Sequence, residues 1–190
     1  MLEAEEKIMR KISILNGFPD GTHSDFEKLL AAELEKHSDN LSVEIFTLRD
    51  MKIGFCTGCW DCWVKTPGLC AIKDDMSKIL KSVAASDRVI FLSPVSMDFV
   101  TSQIKKTCDR MIPLVHPYTE VYHGEFHHIN RYESYPELGL IIVDPDKDTA
   151  RFEVIRDIFG RLSLNLKTTL PLSMMIYGTD QEVSNAVSSL

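Results

Sequence analysis

The sequence predicts an α/β fold: a doubly wound, five-stranded parallel sheet forming a single domain over residues 1–190. Three observations predict it. Five short apolar runs of β character alternate with amphipathic helical segments, the pattern of a parallel sheet covered on both faces. A chain of 190 residues suits one domain and buries enough surface to need no disulfide staples. No internal repeat, low-complexity tract or Pro/Gly/Ser linker divides it.

The elements follow in order. Lys11 to Asn16 reads as a first strand. From Ser24 a helix is expected, with Phe26, Leu29, Leu30 and Leu34 on one face. Leu41 to Phe46 alternates as a second strand, placed at a sheet edge. Met76, Ile79, Leu80, Val83 and Ala84 form the next helical stripe, and Arg88 to Leu92 reads as a buried central strand. Val100, Ile104, Cys108, Met111 and Ile112 mark a third helix, with Cys108 in its core stripe. Gly139 to Val143 is a fourth strand, followed by a helix whose stripe is Val154, Ile155, Ile158, Phe159 and Leu162. Pro171 to Ile176 is a fifth strand, and a short helix follows Gly178. Right-handed crossovers leave two common arrangements, flavodoxin-like and Rossmann-like, both with ligands at the carboxyl ends of the strands.

The net charge of −7 argues against a nonspecific nucleic-acid binder, whose phosphate contacts need a basic surface. The acidic start, Met1 to Glu6, reads as neither signal nor transit peptide. No apolar stretch approaches the ~20 residues of a membrane helix. A cytoplasmic protein with no membrane partner is expected, and its five cysteines then read as thiols or metal ligands.

The loop after strand one, Asn16 to Ser24, can present amides and hydroxyls to a phosphate at a helix N-terminus. It is neither a dinucleotide fingerprint nor a P-loop, so a single phosphate fits better. The plain alternative is a turn closed by a capping box over Ser24-Asp25-Phe26-Glu27. The loop after strand three, Ser93 to Phe99, can lay amides along a flat heteroaromatic ring, with apolar contact from Met97 and Phe99. Its alternative is an ordinary turn with Asp98 as helix cap, and Asp109-Arg110 then reads as surface ion pairing.

The sharpest motif is Cys56-x-x-Cys59-x-x-Cys62-x7-Cys70, inside a Cys-rich loop at 54–75. Two consecutive Cys-x-x-Cys steps favour an iron–sulfur cluster over a structural zinc, which uses two separated pairs. Metal-free thiols, or an apolar contact surface built with Trp60 and Trp63, remain the alternative.

These three stretches resemble the NADPH-dependent FMN reductase and iron–sulfur flavoprotein group of the flavodoxin-like superfamily. The resemblance is carried by Cys56-Thr57-Gly58-Cys59 through Cys62, Pro67, Gly68, Cys70 and Lys73-Asp74-Asp75-Met76. Ser93-Pro94-Val95 with Gln103-Ile104-Lys105 and Asp109-Arg110 adds to it, as does Leu15-Asn16-Gly17-Phe18-Pro19. The resemblance implies a sheet ordered 2-1-3-4-5 and FMN as cofactor. It places phosphate contacts at Gly17, Phe18, Pro19, His23, Ser24 and Asp25, and ring contacts at Pro94, Val95, Ser96, Met97, Asp98 and Phe99. It implies a [4Fe-4S] cluster on Cys56, Cys59, Cys62 and Cys70, and homodimers or homotetramers. Two departures weaken the expected phosphate site. Phe18 stands where the family usually has serine and Asp20 where it has arginine, with Asp25 close by. Ser96 stands where the ring loop often has tyrosine.

The expected activity is that of an FMN-dependent oxidoreductase. Electrons pass from NAD(P)H, or a ferredoxin-like carrier, to a quinone, flavin or other small-molecule acceptor. The flavin supplies the chemistry, so no side chain is nominated as nucleophile or general base. A non-enzymatic electron carrier and a flavin-free thiol sensor are the rival readings. The long insertion at 113–137 holds His116, His123, His127 and His128 and reads as a lid, substrate wall or partner surface. Its histidines read as exposed or packed rather than as metal ligands.

Overall fold

A computed structural model describes residues 9–190; the reading of Met1 to Glu6 concerns residues outside that range. The elements are β1 (Arg10–Asn16), α1 (Ser24–Lys36), β2 (Leu41–Thr47), α2 (Asp61–Val64), α3 (Met76–Ala85), β3 (Arg88–Ser96), β4 (Phe99–Val100) and α4 (Ser102–Asp109). They continue as β5 (Val115–Tyr122), β6 (Glu125–Asn130), β7 (Glu137–Val143), α5 (Thr149–Asn165), β8 (Leu172–Ile176) and α6 (Asp180–Ser188).

The five parallel strands lie in the order β2-β1-β3-β7-β8. This is the flavodoxin-like order 2-1-3-4-5 once the short β4 and the separate β5-β6 hairpin are set aside. β2 is at the edge, as its alternating pattern predicts, and β3 is paired on both sides. Side chains alternate along β3. Val89 and Phe91 face α3, α4 and α5 through Met76, Ile79, Ile104, Ile155 and Phe159. Ile90 and Leu92 face α1 and α6 through Leu30, Leu34, Val183 and Val187. The rings of Phe91 and Phe159 meet edge-on at 4.9 Å, which fixes α5 on the sheet.

Several expectations change. β3 does not end at Leu92 but runs through Ser93 and Pro94 to Ser96. Pro94 is tolerated near the strand end, where it pairs with Val143. α4 ends at Asp109, so Met111 and Ile112 lie beyond the helix; Met111 is still buried. Cys108 is half-buried against the core, where burial pushes its thiol up to about 12. On α5, Val154 and Ile158 point outward, leaving Ile155 and Phe159 as its buried stripe. The insertion at 113–137 contains an antiparallel hairpin turning at His123-Gly124, both with positive φ. Of its histidines, His127 is buried beside Glu125 and His128 packs against Trp63.

Candidate functional site

β1 and β3 are neighbours, but α1 leaves to one face of the sheet and α4 to the other. Their carboxyl ends therefore open a crevice at the switch point, where ligands of such sheets bind. The two loops flanking it are tied together. Gly17 N–H donates to Leu92 O at 2.8 Å. Thr101 spans the gap, its hydroxyl donating to Gly17 O at 2.7 Å and its amide to Ser93 Oγ at 3.0 Å. A Cβ on Gly17 would lie 2.4 Å from Ile104 Cγ1 and 2.9 Å from Thr101 Oγ1. Glycine is thus required here by close packing on α4.

The loop after β1 turns through a 3-10 segment, Gly21–His23, capped by Asp20, which accepts from Thr22 N at 2.9 Å. That hydrogen bonding with Thr22 holds the Asp20 carboxyl below its ordinary range. The expected capping box does not form. Ser24 is the first residue of α1 rather than its cap, and no side chain caps that end. Glu27 turns away to accept from Asn16 Nδ2 and, bidentately, from Arg49 at 2.6 and 2.9 Å. The first-turn amides of α1 are therefore free of side-chain caps, which fits an anionic group there. The Phe18 side chain lies in the core. It is 0% exposed, stacks on His23 at 4.4 Å and meets Phe26 edge-on at 5.3 Å. Pro19, Asp20 and Asp25 are exposed, and His23 and Ser24 half-buried. Arg49, which no local pattern marks, supplies the cation of this corner.

The loop after β3 is a tight hairpin rather than a helix cap. Ser96 pairs with Phe99, and Met97 and Asp98 form the turn with φ of 50° and 60°. Left-handed backbone at two consecutive non-glycine residues is costly, and such strain clusters at ligand sites. Met97 is 98% exposed, so its position is not dictated by packing. Asp98 does not cap α4, whose N-cap is Thr101. It accepts from Arg151 Nε at 2.9 Å, while Arg151 Nη1 reaches buried Asp144 at 2.9 Å. Of the predicted ring contacts, Pro94 is buried, Val95 and Phe99 are half-buried, and Ser96, Met97 and Asp98 are exposed.

The Cys-rich loop leaves the carboxyl end of β2, which is in register with that of β1. Its left-handed positions, Gly58 and Trp60, fold it back before the single turn α2. Trp63 Nε1–H donates to Val115 O at 3.0 Å and pins the loop to the hairpin. Cys56, Cys59, Cys62 and Cys70 line one cavity of about 60 Å³, together with Asp109 and Arg110. Cys62 is buried; burial pushes its thiol up, and the neighbouring Cys70, Cys59 and Cys56 add to the rise. Among the described residues, no three His, Cys, Asp or Glu side chains stand close enough together to hold a metal ion. The thiols share a cavity without forming a ligand shell.

Arg110 is no surface partner of Asp109, which pairs with Lys105 instead. It is 1% exposed. It donates to Asp74 through Nη1 at 2.8 Å and Nη2 at 3.0 Å, and to Gly54 O at 2.8 Å. Asp74 also accepts from Gly54 N at 2.9 Å and Met76 N at 3.1 Å. Burial works against the Asp74 charge, but these hydrogen bonds outweigh it and hold the carboxyl below its ordinary range. Burial likewise works against Arg110, and Asp74 and Cys70 outweigh it, raising its pKa.

A model of the family described as NADPH-dependent FMN reductase matches residues 10–125. An iron–sulfur flavoprotein of Archaeoglobus fulgidus is 38% identical over 108 residues, 57% of this chain and 48% of that protein. One from Methanocaldococcus jannaschii is 37% identical over 76 residues, 40% of this chain and 38% of that protein. The chain thus spans no more than about half the length of these curated relatives. Among solved structures, an NAD(P)H:quinone oxidoreductase from Methanothermobacter marburgensis superposes with a TM-score of 0.65 at 14% identity, covering 96% of this chain and 94% of that one. An FMN-dependent NADH-azoreductase from Bacillus anthracis, in complex with FMN, gives 0.63 at 16% identity, covering 95% and 99%. These two show the shared fold. The matched residues 10–125 hold β1 to β5, both loops of the crevice and the whole Cys-rich loop, and the chain belongs to the NADPH-dependent FMN reductase family.

Proposed function

We propose that this chain is a single-domain, cytoplasmic, FMN-dependent oxidoreductase that takes electrons from NAD(P)H and delivers them to a quinone, flavin or other small acceptor. The observation that carries the reading is the crevice itself. Gly17, Ser93 and Thr101 lock the loop after β1 to the turn after β3 at the switch point of the sheet. Gly17, Phe18, Pro19 and His23 to Asp25 would hold the phosphate, with Arg49 offsetting the acidic neighbours. Pro94 to Phe99 would hold the ring. FMN, when bound, accepts a hydride and releases electrons. The chain's own residues bind it, orient it and shield one side of it.

A [4Fe-4S] cluster would be held by Cys56, Cys59, Cys62 and Cys70, which line one cavity and would have to draw closer together around it. Four soft donors on one cavity, next to a buried cation, support this reading. The chain works as a homodimer or homotetramer. Exposed apolar side chains on the hairpin, Tyr118, Val121 and Phe126, support assembly. No helix among the described residues is long and apolar enough to cross a membrane.

Anaerobic titration of the FMN-loaded protein with NADPH tests the activity. Stoichiometric bleaching of the flavin is expected. A flavin that NADPH leaves oxidised, yet a reduced ferredoxin bleaches, would replace the enzyme with an electron carrier.

A further inference from the structure

Arg151, in the first turn of α5, is the meeting point of four carboxylates. Its Nη1 donates to Asp144 at 2.9 Å and its Nε to Asp98 at 2.9 Å. Asp146 and Asp148 stand farther off, at 3.8 and 3.7 Å. The two close partners differ in kind. Asp144, directly after β7, is anchored and 1% exposed. Its backbone N–H donates to Ile176 O at 3.0 Å, and its carboxylate accepts from the amides of Asp146 at 3.0 Å and Asp148 at 3.3 Å. Asp98 stands in solvent, its side chain 81% exposed, in the turn after β3. An exposed ion pair adds little to fold stability, so the fold gains little from this second arm of the guanidinium.

What the second arm reaches is the costly piece of backbone. Met97 and Asp98 have φ of 50° and 60°. Such backbone persists only where its surroundings over-determine it. The pairing of Ser96 with Phe99 closes the base of the turn, and Arg151 takes hold of its tip from α5.

We propose that Arg151 is a positioning residue of the flavin site: it spans from the buried carboxylate after β7 to the turn after β3 and holds that turn in the left-handed backbone that meets the flavin ring. The role rests on the flavin reading given above. Arginine suits it because a planar fork addresses two carboxylates in fixed directions at once, which an ammonium on a flexible stem does not. The turn is then shaped before the ring arrives, and binding energy is not spent on ordering it.

Four full-length proteins stripped of flavin decide it: the native chain, Arg151→Lys, Asp98→Gly and the double variant Asp98→Gly/Arg151→Lys. Lysine keeps a cation beside buried Asp144, and urea midpoints report whether the fold is preserved. Glycine takes positive φ without strain, so its turn no longer needs the clamp. FMN is titrated against each protein, and quenching of its fluorescence gives the dissociation constant. Arg151→Lys is expected to weaken FMN binding about tenfold in the native background. In the Asp98→Gly background the same substitution is expected to change it by no more than about twofold, because the two residues act as one unit. Equal losses in both backgrounds would place the effect of Arg151 in the fold rather than in the turn and overturn the inference, as would native affinity in Arg151→Lys. A native chain that takes up no FMN would instead remove the flavin reading, and this role with it.

Discussion

Asp74→Ala is expected to destabilise the fold by about 3–5 kcal/mol, because it removes one partner of a buried ion pair. Both side chains of the pair are almost fully buried, at 3% and 1% exposure. The variant leaves the Arg110 guanidinium charged and desolvated, and strips the Gly54 and Met76 amides of their acceptor. Urea unfolding at neutral pH measures the loss. The effect also carries a pH signature. The carboxyl's pKa is depressed in the fold, so its contribution is complete above the unfolded value of ~3.9 and is lost as pH falls through the folded value. The gap between native and Asp74→Ala stability should therefore stay constant near neutrality and close in acid. A gap that instead widened in acid would contradict the assignment.

Cys59→Ser is expected to abolish iron binding, from about four irons per chain to almost none, while FMN remains bound. Serine keeps the size of the side chain but replaces a soft thiolate with a hard, weakly acidic hydroxyl. Cys59 is exposed at the cavity mouth, so the substitution disturbs little packing. The flavin crevice is built from the loops after β1 and β3, which Cys59 does not enter. Iron and flavin assayed on one sample read both halves. Unchanged iron would take Cys59 out of the ligand set, and joint loss of iron and FMN would show that the two sites are not independent.

The five parallel strands are legible because each carries a continuous apolar run bounded by turn residues, and their order follows from handedness and the family resemblance. What escaped the sequence is non-local. Arg49 sits 22 residues from Glu27, and nothing near it announces that it will pull that carboxylate out of a capping box. Arg110 reads naturally beside Asp109, yet it turns inward to Asp74, 36 residues away. Phe18 reads as a loop residue facing a ligand, but His23 and Phe26 bury it from the next turn and helix. The hairpin did leave a signal. His123-Gly124 lies between Thr119 to Tyr122 and Glu125 to His128, residues with the β-branched and aromatic character of strands. Histidines and the Pro117 within the first strand masked it. The turn at Met97-Asp98 carries no such signal, because neither residue favours positive φ as glycine does. Tertiary ties such as Asp98 to Arg151 hold it.

The most direct test of the central claim is a UV–visible spectrum of the native protein purified without oxygen, with FMN and iron measured on the same sample. Flavin bands with a broad iron–sulfur shoulder are the result this account predicts. A colourless protein that also fails to take up added FMN would contradict it, showing that Phe18, Asp20 and Asp25 leave the crevice unable to hold the cofactor.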